Sequence, residues 1–252
     1  MHYPLEISLG AARINAHLIF EMLAYTAGYQ AYVRLRRRSA DRISDEHRNW
    51  ILLGAAAGAF LGSHVLGVLE RPEELYPFGF AYFMANKTVL GGFLGGLTGV
   101  EVTKKLLGVR ASSGDLMTFP ILLALAIGRV GCHFAGLADG TQGLPSALPW
   151  AVDFGDGIPR HPVNLYEILL LAGIALLLRR LEKNGPLADG LRFKIFLILY
   201  LAWRFAAEWL KPAWFFPFGL SSIQLAALAG LAYYRKTVVM LFKSVFPTIF
   251  KP

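Results

Sequence analysis

Apolar residues in this chain run for about 20 positions at a time, the length that crosses a hydrocarbon core, and polar residues gather between the runs. The first run covers about Ile14 to Val33 and ends in Arg34, Arg36, Arg37, Arg38 and Arg42. A second, about Trp50 to Leu69, leads into an acidic turn, ERPEELY. The third region, about Phe78 to Leu107, is longer than one crossing and is interrupted at Asn86 and Lys87. Its pattern predicts a short broken or re-entrant piece followed by a full helix. Later runs cover about Leu116 to Phe134, Val163 to Leu178, Phe193 to Leu210 and Leu220 to Tyr234. The stretch after Lys236 is too broken to span and is expected along the inner surface.

These runs predict an all-α integral membrane protein of about seven transmembrane helices. Residues 1–252 form a single polytopic transmembrane domain with a short outer loop region, 136–160. Basic clusters follow the first, third, fifth and seventh runs, and this asymmetry places them in the cytoplasm. The N-terminus is then outside and the C-terminus cytoplasmic. The opposite turns carry Glu70, Glu73, Glu74, Asp139, Asp153 and Asp156. The first seventeen residues lack a basic region followed at once by an apolar core, so the first helix is expected to direct insertion itself.

Composition supports a membrane protein, with 55% hydrophobic and 17% charged residues. The net charge of +8 raises nucleic-acid binding, but the basic residues lie between apolar runs, as topology signals do. No nucleic-acid partner is expected. A single cysteine, Cys132, excludes an internal disulfide and a Cys-pair metal site. HExxH and multi-His spacings are absent, as is a GxSxG turn, so neither metal nor cofactor is expected.

Candidate chemistry gathers between Gly128 and Glu167, where two apolar runs meet one loop rich in Gly, Pro and Asp. Arg129 near a membrane edge either snorkels to the interface or grips phosphate, for which its planar fork is suited. Arg204 and Glu208, four apart, either pair within the membrane or serve an anion site. His17 and Glu21 also share a helix face. The Glu21 carboxylate takes His17 or Lys87 as partner, or the pair serves ligand or proton chemistry. His64 reads as an interhelical hydrogen bond or a catalytic group. Cys132 reads as a packing residue, because neighbouring His133 projects about 100° away on a helix. Glycines in GAAAGAFLG and LGGFLGG allow close helix packing, or alternatively let backbone N–H groups face a lipid headgroup.

Gly128-Arg129-Val130-Gly131 with Gly136 and Gly140, then Arg160-His161-Pro162 with Leu165-Tyr166-Glu167, resemble the prolipoprotein diacylglyceryl transferases. Arg204, Phe205 and Glu208 are similar to the family's FRxxxEFxR, Gln224 to a glutamine of its last span, and Phe93 to Gly99 to its FHGGLxG. The chain departs from these patterns at Leu94, Cys132, Ala135, Leu137 and Lys211, and Phe60 stands where an arginine is expected. The resemblance implies transfer of a diacylglyceryl group from an anionic glycerophospholipid such as phosphatidylglycerol, with glycerol phosphate released. It implies as acceptor a lipoprotein cysteine or another polar group at the outer leaflet of the bacterial inner membrane. Implied substrate-binding residues are Arg129, Arg204, Gly95, Gly96, Arg160, Tyr166 and Glu167, and implied catalytic residues His161, His133 and Glu208. With leucine at position 94, a thiol base would have to come from His133, His64 or Glu21. A non-catalytic phospholipid-binding or lipid-translocating protein is the other reading.

Overall fold

In the computed structural model, which describes residues 3–9, 12–39, 41–72 and 75–245, helices account for most of the chain. The apolar stretch beyond Val245 lies outside the described residues, as do Glu73 and Glu74 of the acidic turn. The contacts divide the chain into two compact units. One comprises Met1–Ala40, Ser113–Phe196 and Trp209–Pro212, the other Asp41–Ser112, Leu197–Glu208 and Ala213–Pro252.

The first unit opens on an antiparallel hairpin, β1 (Glu6–Leu9) and β2 (Ala12–Asn15), in which Glu6 lies opposite Asn15. The sequence pattern did not predict it, since four-residue strands carry little periodicity. Helix α1 (Ala16–Arg38) follows directly, capped by the Asn15 side chain on the His17 amide. Its last turn carries Arg36, Arg37 and Arg38, so one cluster both completes the helix dipole and marks topology.

The hairpin is followed in space by a helix from much later in the chain, α5 (Asp115–Ala135), which packs along α1. Gly28 meets Ala124, and Gly131 meets Phe20 and His17, so the two helices touch at both ends. Helix α6 (Val163–Lys183) packs on the other side of α5. The loop between α5 and α6 is ordered by two-residue strands, β3 (Val152–Asp153) and β4 (Pro159–Arg160). Helix α7 (Leu191–Ala207) begins in this unit, where the Asp115 carboxylate accepts from the amides of Gly190 and Phe193. One carboxylate thereby satisfies orphan N–H groups at a helix start from 75 residues away.

The second unit is built on α2 (Asp45–Val68) and α4 (Val89–Leu107). Ser44 and Thr88 cap them. Their backbones approach as closely as helices can: a Cβ on Gly95 would lie 2.2 Å from the Gly58 carbonyl oxygen. The Gly91–Gly62 and Gly99–Gly54 contacts continue the same seam. Small residues four apart permit this contact in a helix pair that has no water to exclude. Between α2 and α4, α3 (Leu75–Ala85) ends just before Asn86 and Lys87, where the sequence predicted a break. His64 of α2 holds that break, its Nδ1 lying 2.9 Å from both the Phe83 and Asn86 carbonyl oxygens. The histidine thus ties a helix end whose carbonyls have lost their intrahelical partners.

Helix α8 (Ser222–Tyr233) opens on a capping box between Ser221 and Gln224. It bends by 76° into α9 (Arg235–Val245), an amphipathic helix with Arg235, Lys236 and Lys243 on it. By length and composition α2 and the stretch Asp115–Asp139 can each cross a membrane, and the bent α8–α9 pair makes a third candidate. The other predicted runs coincide with α1, α4, α6 and α7, which are shorter or more polar. The chain has the make-up of an all-α membrane protein.

Candidate lipid-phosphate site

Arg129 lies near the C-terminal end of α5 and is 5% exposed, and Glu167, one turn into α6, is 1% exposed. Arg129 Nε is 2.8 Å from Glu167 Oε1. The N–H is not aimed squarely at that oxygen, so the contact is an ion pair held by charge and packing. Burying either charge alone would cost several kcal/mol, so α5 and α6 are locked by mutual need. The Arg129 Nη1 group also reaches Cys132 Sγ at 3.7 Å, one turn further along α5.

The α5–α6 loop supplies the rest of this region. His161 exchanges backbone hydrogen bonds with its surroundings: its N–H donates to Leu144, and its carbonyl accepts from Gly143 and Val163. A Cβ on Gly143 would stand 2.6 Å from the His161 Cβ, so glycine allows that approach. Pro162 follows and α6 begins at the next residue, as proline near a helix start favours. Tyr166 Oη accepts from Trp150 Nε1 at 2.8 Å and lies 3.3 Å from His161 Nδ1. The phenol thereby links the indole to the imidazole, serving as donor or acceptor toward Nδ1 according to the histidine tautomer. Trp150, His161, Pro162, Leu165 and Tyr166 line an otherwise apolar cavity of about 560 Å³.

Arg160 is committed to the loop itself. Its guanidinium donates to both Asp156 carboxylate oxygens, at 2.6 and 2.7 Å, and to the Ile158 carbonyl. These bonds hold the Asp156 carboxyl below the usual aspartate range and raise Arg160 further. His133 stands edge-on to Tyr3 and Phe154 in an aromatic cluster. Burial there pushes the Tyr3 hydroxyl up.

Arg129, Glu167, His161, Tyr166, Arg160 and His133 all belong to the first unit. Arg204, Glu208, Gly95 and Gly96 belong to the second. There, Arg204 is buried near the end of α7 and Glu208 is buried in the tight turn that follows. Glu208 Oε2 has no hydrogen-bond partner among the described residues. Gln224 Nε2 donates to the Phe205 carbonyl, fastening the start of α8 to the end of α7. Gly95 faces the backbone of α2, and Gly96 lies against Ala55 and Ala59. Both are therefore used in helix packing. Leu94, in the position of the family histidine, points toward Gly230 of α8.

Sequence reasoning gave Asp139 only a place among the acidic turns. Its carboxylate accepts from Thr141 and faces His17 Nε2 at 3.9 Å. Glu21 accepts from Tyr25 at 3.4 Å. The Gly136 and Gly140 signals were legible, but the turn they enforce was not. Gly136 has φ 61° and ends α5, and the short 3₁₀ turn Gly136–Asp139 delivers the aspartate.

The model of the prolipoprotein diacylglyceryl transferase family matches residues 4–242. This chain belongs to that family. The phosphatidylglycerol–prolipoprotein diacylglyceryl transferase of Bordetella parapertussis is 34% identical over 230 residues, 84% of each chain. The protein of that name from Nitratidesulfovibrio vulgaris is 28% identical over 222 residues, 82% of this chain and 81% of its own. That from Geobacter sulfurreducens is 27% identical over 245 residues, 90% of this chain and 86% of its own. Prolipoprotein diacylglyceryl transferases are enzymes, and the buried Arg129–Glu167 pair of this member joins the two sequence stretches by which the chain resembles the family.

Proposed function

We propose that this protein transfers the diacylglyceryl group of an anionic glycerophospholipid, phosphatidylglycerol or a close relative, to a polar acceptor. The acceptor best matching the family is the cysteine thiol of a prolipoprotein. The acceptor sulfur bonds to the diacylglyceryl carbon as the carbon–oxygen bond to phosphate breaks, and glycerol phosphate departs. The thiol proton passes to a base, for which His161, His133 and Glu21 are the candidates in the first unit and His64 in the second.

The observation that carries this reading is the buried Arg129 guanidinium held beside Glu167. A guanidinium offers paired donors to phosphate oxygens, and in a poorly hydrated setting it stabilises the charge developing on a departing phosphate. Tyr166 and His161 border an apolar cavity suited to aliphatic chains. Arg204, Glu208, Gly95 and Gly96 enter the proposal through the sequence motifs, and substitution tests each. Arg160 is assigned to shaping the β3–β4 loop beside the site.

The protein resides in the bacterial inner membrane as a single polytopic domain of about seven crossings. Its N-terminus and the 136–160 loop face outward, as the basic clusters after the first, third, fifth and seventh runs support. A second reading, a lipid-binding relative without turnover, is favoured by Leu94 lying against Gly230 where the family has histidine. Reconstitution in vesicles separates the two. With labelled phosphatidylglycerol and a lipobox peptide, the transferase reading expects labelled peptide and free glycerol phosphate. Replacing the donor with phosphatidylcholine should abolish both products. Retained phosphatidylglycerol without turnover on the peptide or on a small thiol would support the binding protein instead.

A further inference from the structure

We propose that His17, Cys132 and Asp139 form a binding site for a divalent transition-metal ion of the zinc class. One ligand atom from each residue lies within 4.8 Å of the other two, and His17 Nε2 is 3.9 Å from Asp139 Oδ1. Tetrahedral zinc with bonds of ~2.0–2.3 Å sets its ligands about 3.3–3.8 Å apart, so closure asks for at most about 1.5 Å along any edge. His17 comes from a helix far earlier in the chain than Cys132 and Asp139, which is why no local spacing announced the three together.

The backbone converges on this point by specific means. Gly131 lacks the Cβ that would lie 2.8 Å from Phe20 Cβ and 3.5 Å from His17 Cα, so α1 can bring His17 alongside Cys132. The positive φ of Gly136 then turns the chain so that Asp139 returns toward the same end of α5. Asp139 is aimed by a second layer. Its Oδ2 accepts from the Thr141 hydroxyl at 2.7 Å, and Thr141 in turn accepts from Asn164, which is 3% exposed. Such outer partners fix ligand orientation at metal sites. His17 Nδ1 is buried and has no hydrogen-bond partner among the described residues.

Charge favours a cation. Glu167 pairs with the guanidinium of Arg129, whose Nη1 is 3.7 Å from the cysteine sulfur, and Asp139 brings a second carboxylate beside that sulfur. Together these three side chains sum to one negative charge. Metal binding replaces the Cys132 S–H proton, released to solvent, with an S–metal bond, and the thiolate raises the sum to two. A divalent ion neutralises it. A nitrogen, sulfur and oxygen donor set suits zinc. Three protein ligands leave a fourth position for water or a substrate atom, the arrangement of catalytic rather than structural zinc.

The test is Co²⁺ titration of the full chain, purified in detergent and stripped of metal. The expected result is a thiolate-to-cobalt charge-transfer band that saturates at one ion per chain and is displaced by Zn²⁺. Cys132→Ser should lose the band. His17→Gln and Asp139→Asn should bind at least tenfold more weakly, and Thr141→Val, which keeps all three ligands, about 10–100-fold more weakly. Metal-free thermal unfolding checks that each variant is folded, and Zn²⁺ should raise the wild-type midpoint with the logarithm of its excess over Kd. Absence of the band in folded wild-type protein would overturn the proposal. So would equal affinity in His17→Gln and Asp139→Asn, which would show an ion held by the cysteine alone. The readout is spectroscopic, so its failure is distinct from failure of the transferase reading.

Discussion

Arg129 Nε and Glu167 Oε1 are 2.8 Å apart and almost fully enclosed, so α5 and α6 share a charge that neither can bury alone. The relationship makes one residue both a structural partner and the candidate phosphate ligand. Glu167→Ala strands the guanidinium and should destabilise the protein by about 3–5 kcal/mol, as removal of one member of a buried pair does. Removing both charges in Arg129→Met/Glu167→Met should restore much of that loss while leaving transfer abolished. Thermal unfolding of the single and double variants in detergent checks the cycle. Equal losses in all three would contradict a coupled pair.

The α2–α4 seam depends on missing side chains. Gly95→Ala places a methyl group 2.2 Å from the Gly58 carbonyl oxygen, so the helices must separate. Overpacking of this kind costs about 1–3 kcal/mol. Gly173→Ala on α6 meets nothing within 4 Å and should be neutral or stabilising by roughly 0.5–1 kcal/mol. The contrast between two identical substitutions is the measurement.

Acid should loosen the β3–β4 loop. The Arg160 bonds lower the Asp156 carboxyl relative to the unfolded chain, so their contribution is complete above the ordinary aspartate value of about 4. It is lost as pH falls through the lower folded value. Amide protection at Ile158, taken relative to the intrinsic exchange rate at each pH, should therefore fall below that range, and Asp156→Asn should show no such pH step. A step of unchanged size in the variant would assign it to another group.

Much of the helical frame was legible in the sequence. The α3–α4 break at Asn86 and Lys87 and the start of α6 after Pro162 follow from local chemistry, because charge, proline and glycine act on their neighbours. Arg129 was legible as a residue in need of a partner. Its partner was not, because Glu167 is reached only after the intervening loop folds back. The same limit hid the His17–Asp139 approach, since Asp139 reaches His17 only through the turn that Gly136 begins. Gly95 and Gly96 show the converse: one composition serves helix packing and headgroup approach, and only the facing helix decides which atoms lie opposite.

The Tyr166 hydroxyl joins Trp150 to His161, so Tyr166→Phe removes two hydrogen bonds without emptying the cavity wall. Each such bond contributes about 0.5–1.5 kcal/mol, a modest stability loss. If His161 takes the acceptor proton, the variant should lower kcat and move its acidic pH limb while KM for phosphatidylglycerol stays near its wild-type value. A change confined to KM would place Tyr166 in lipid binding instead.

The central claim is that Arg129 grips the departing phosphate. Its most direct test is release of labelled glycerol phosphate from phosphatidylglycerol, with a lipobox peptide present as acceptor, by reconstituted wild-type, Arg129→Lys and Arg129→Ala proteins of matched folded fraction. Loss of a charge-assisted, transition-state contact worth about 3–4 kcal/mol predicts release slowed 10²–10³-fold in Arg129→Ala, with partial activity at most in Arg129→Lys. Release at the wild-type rate from folded Arg129→Ala would contradict the account.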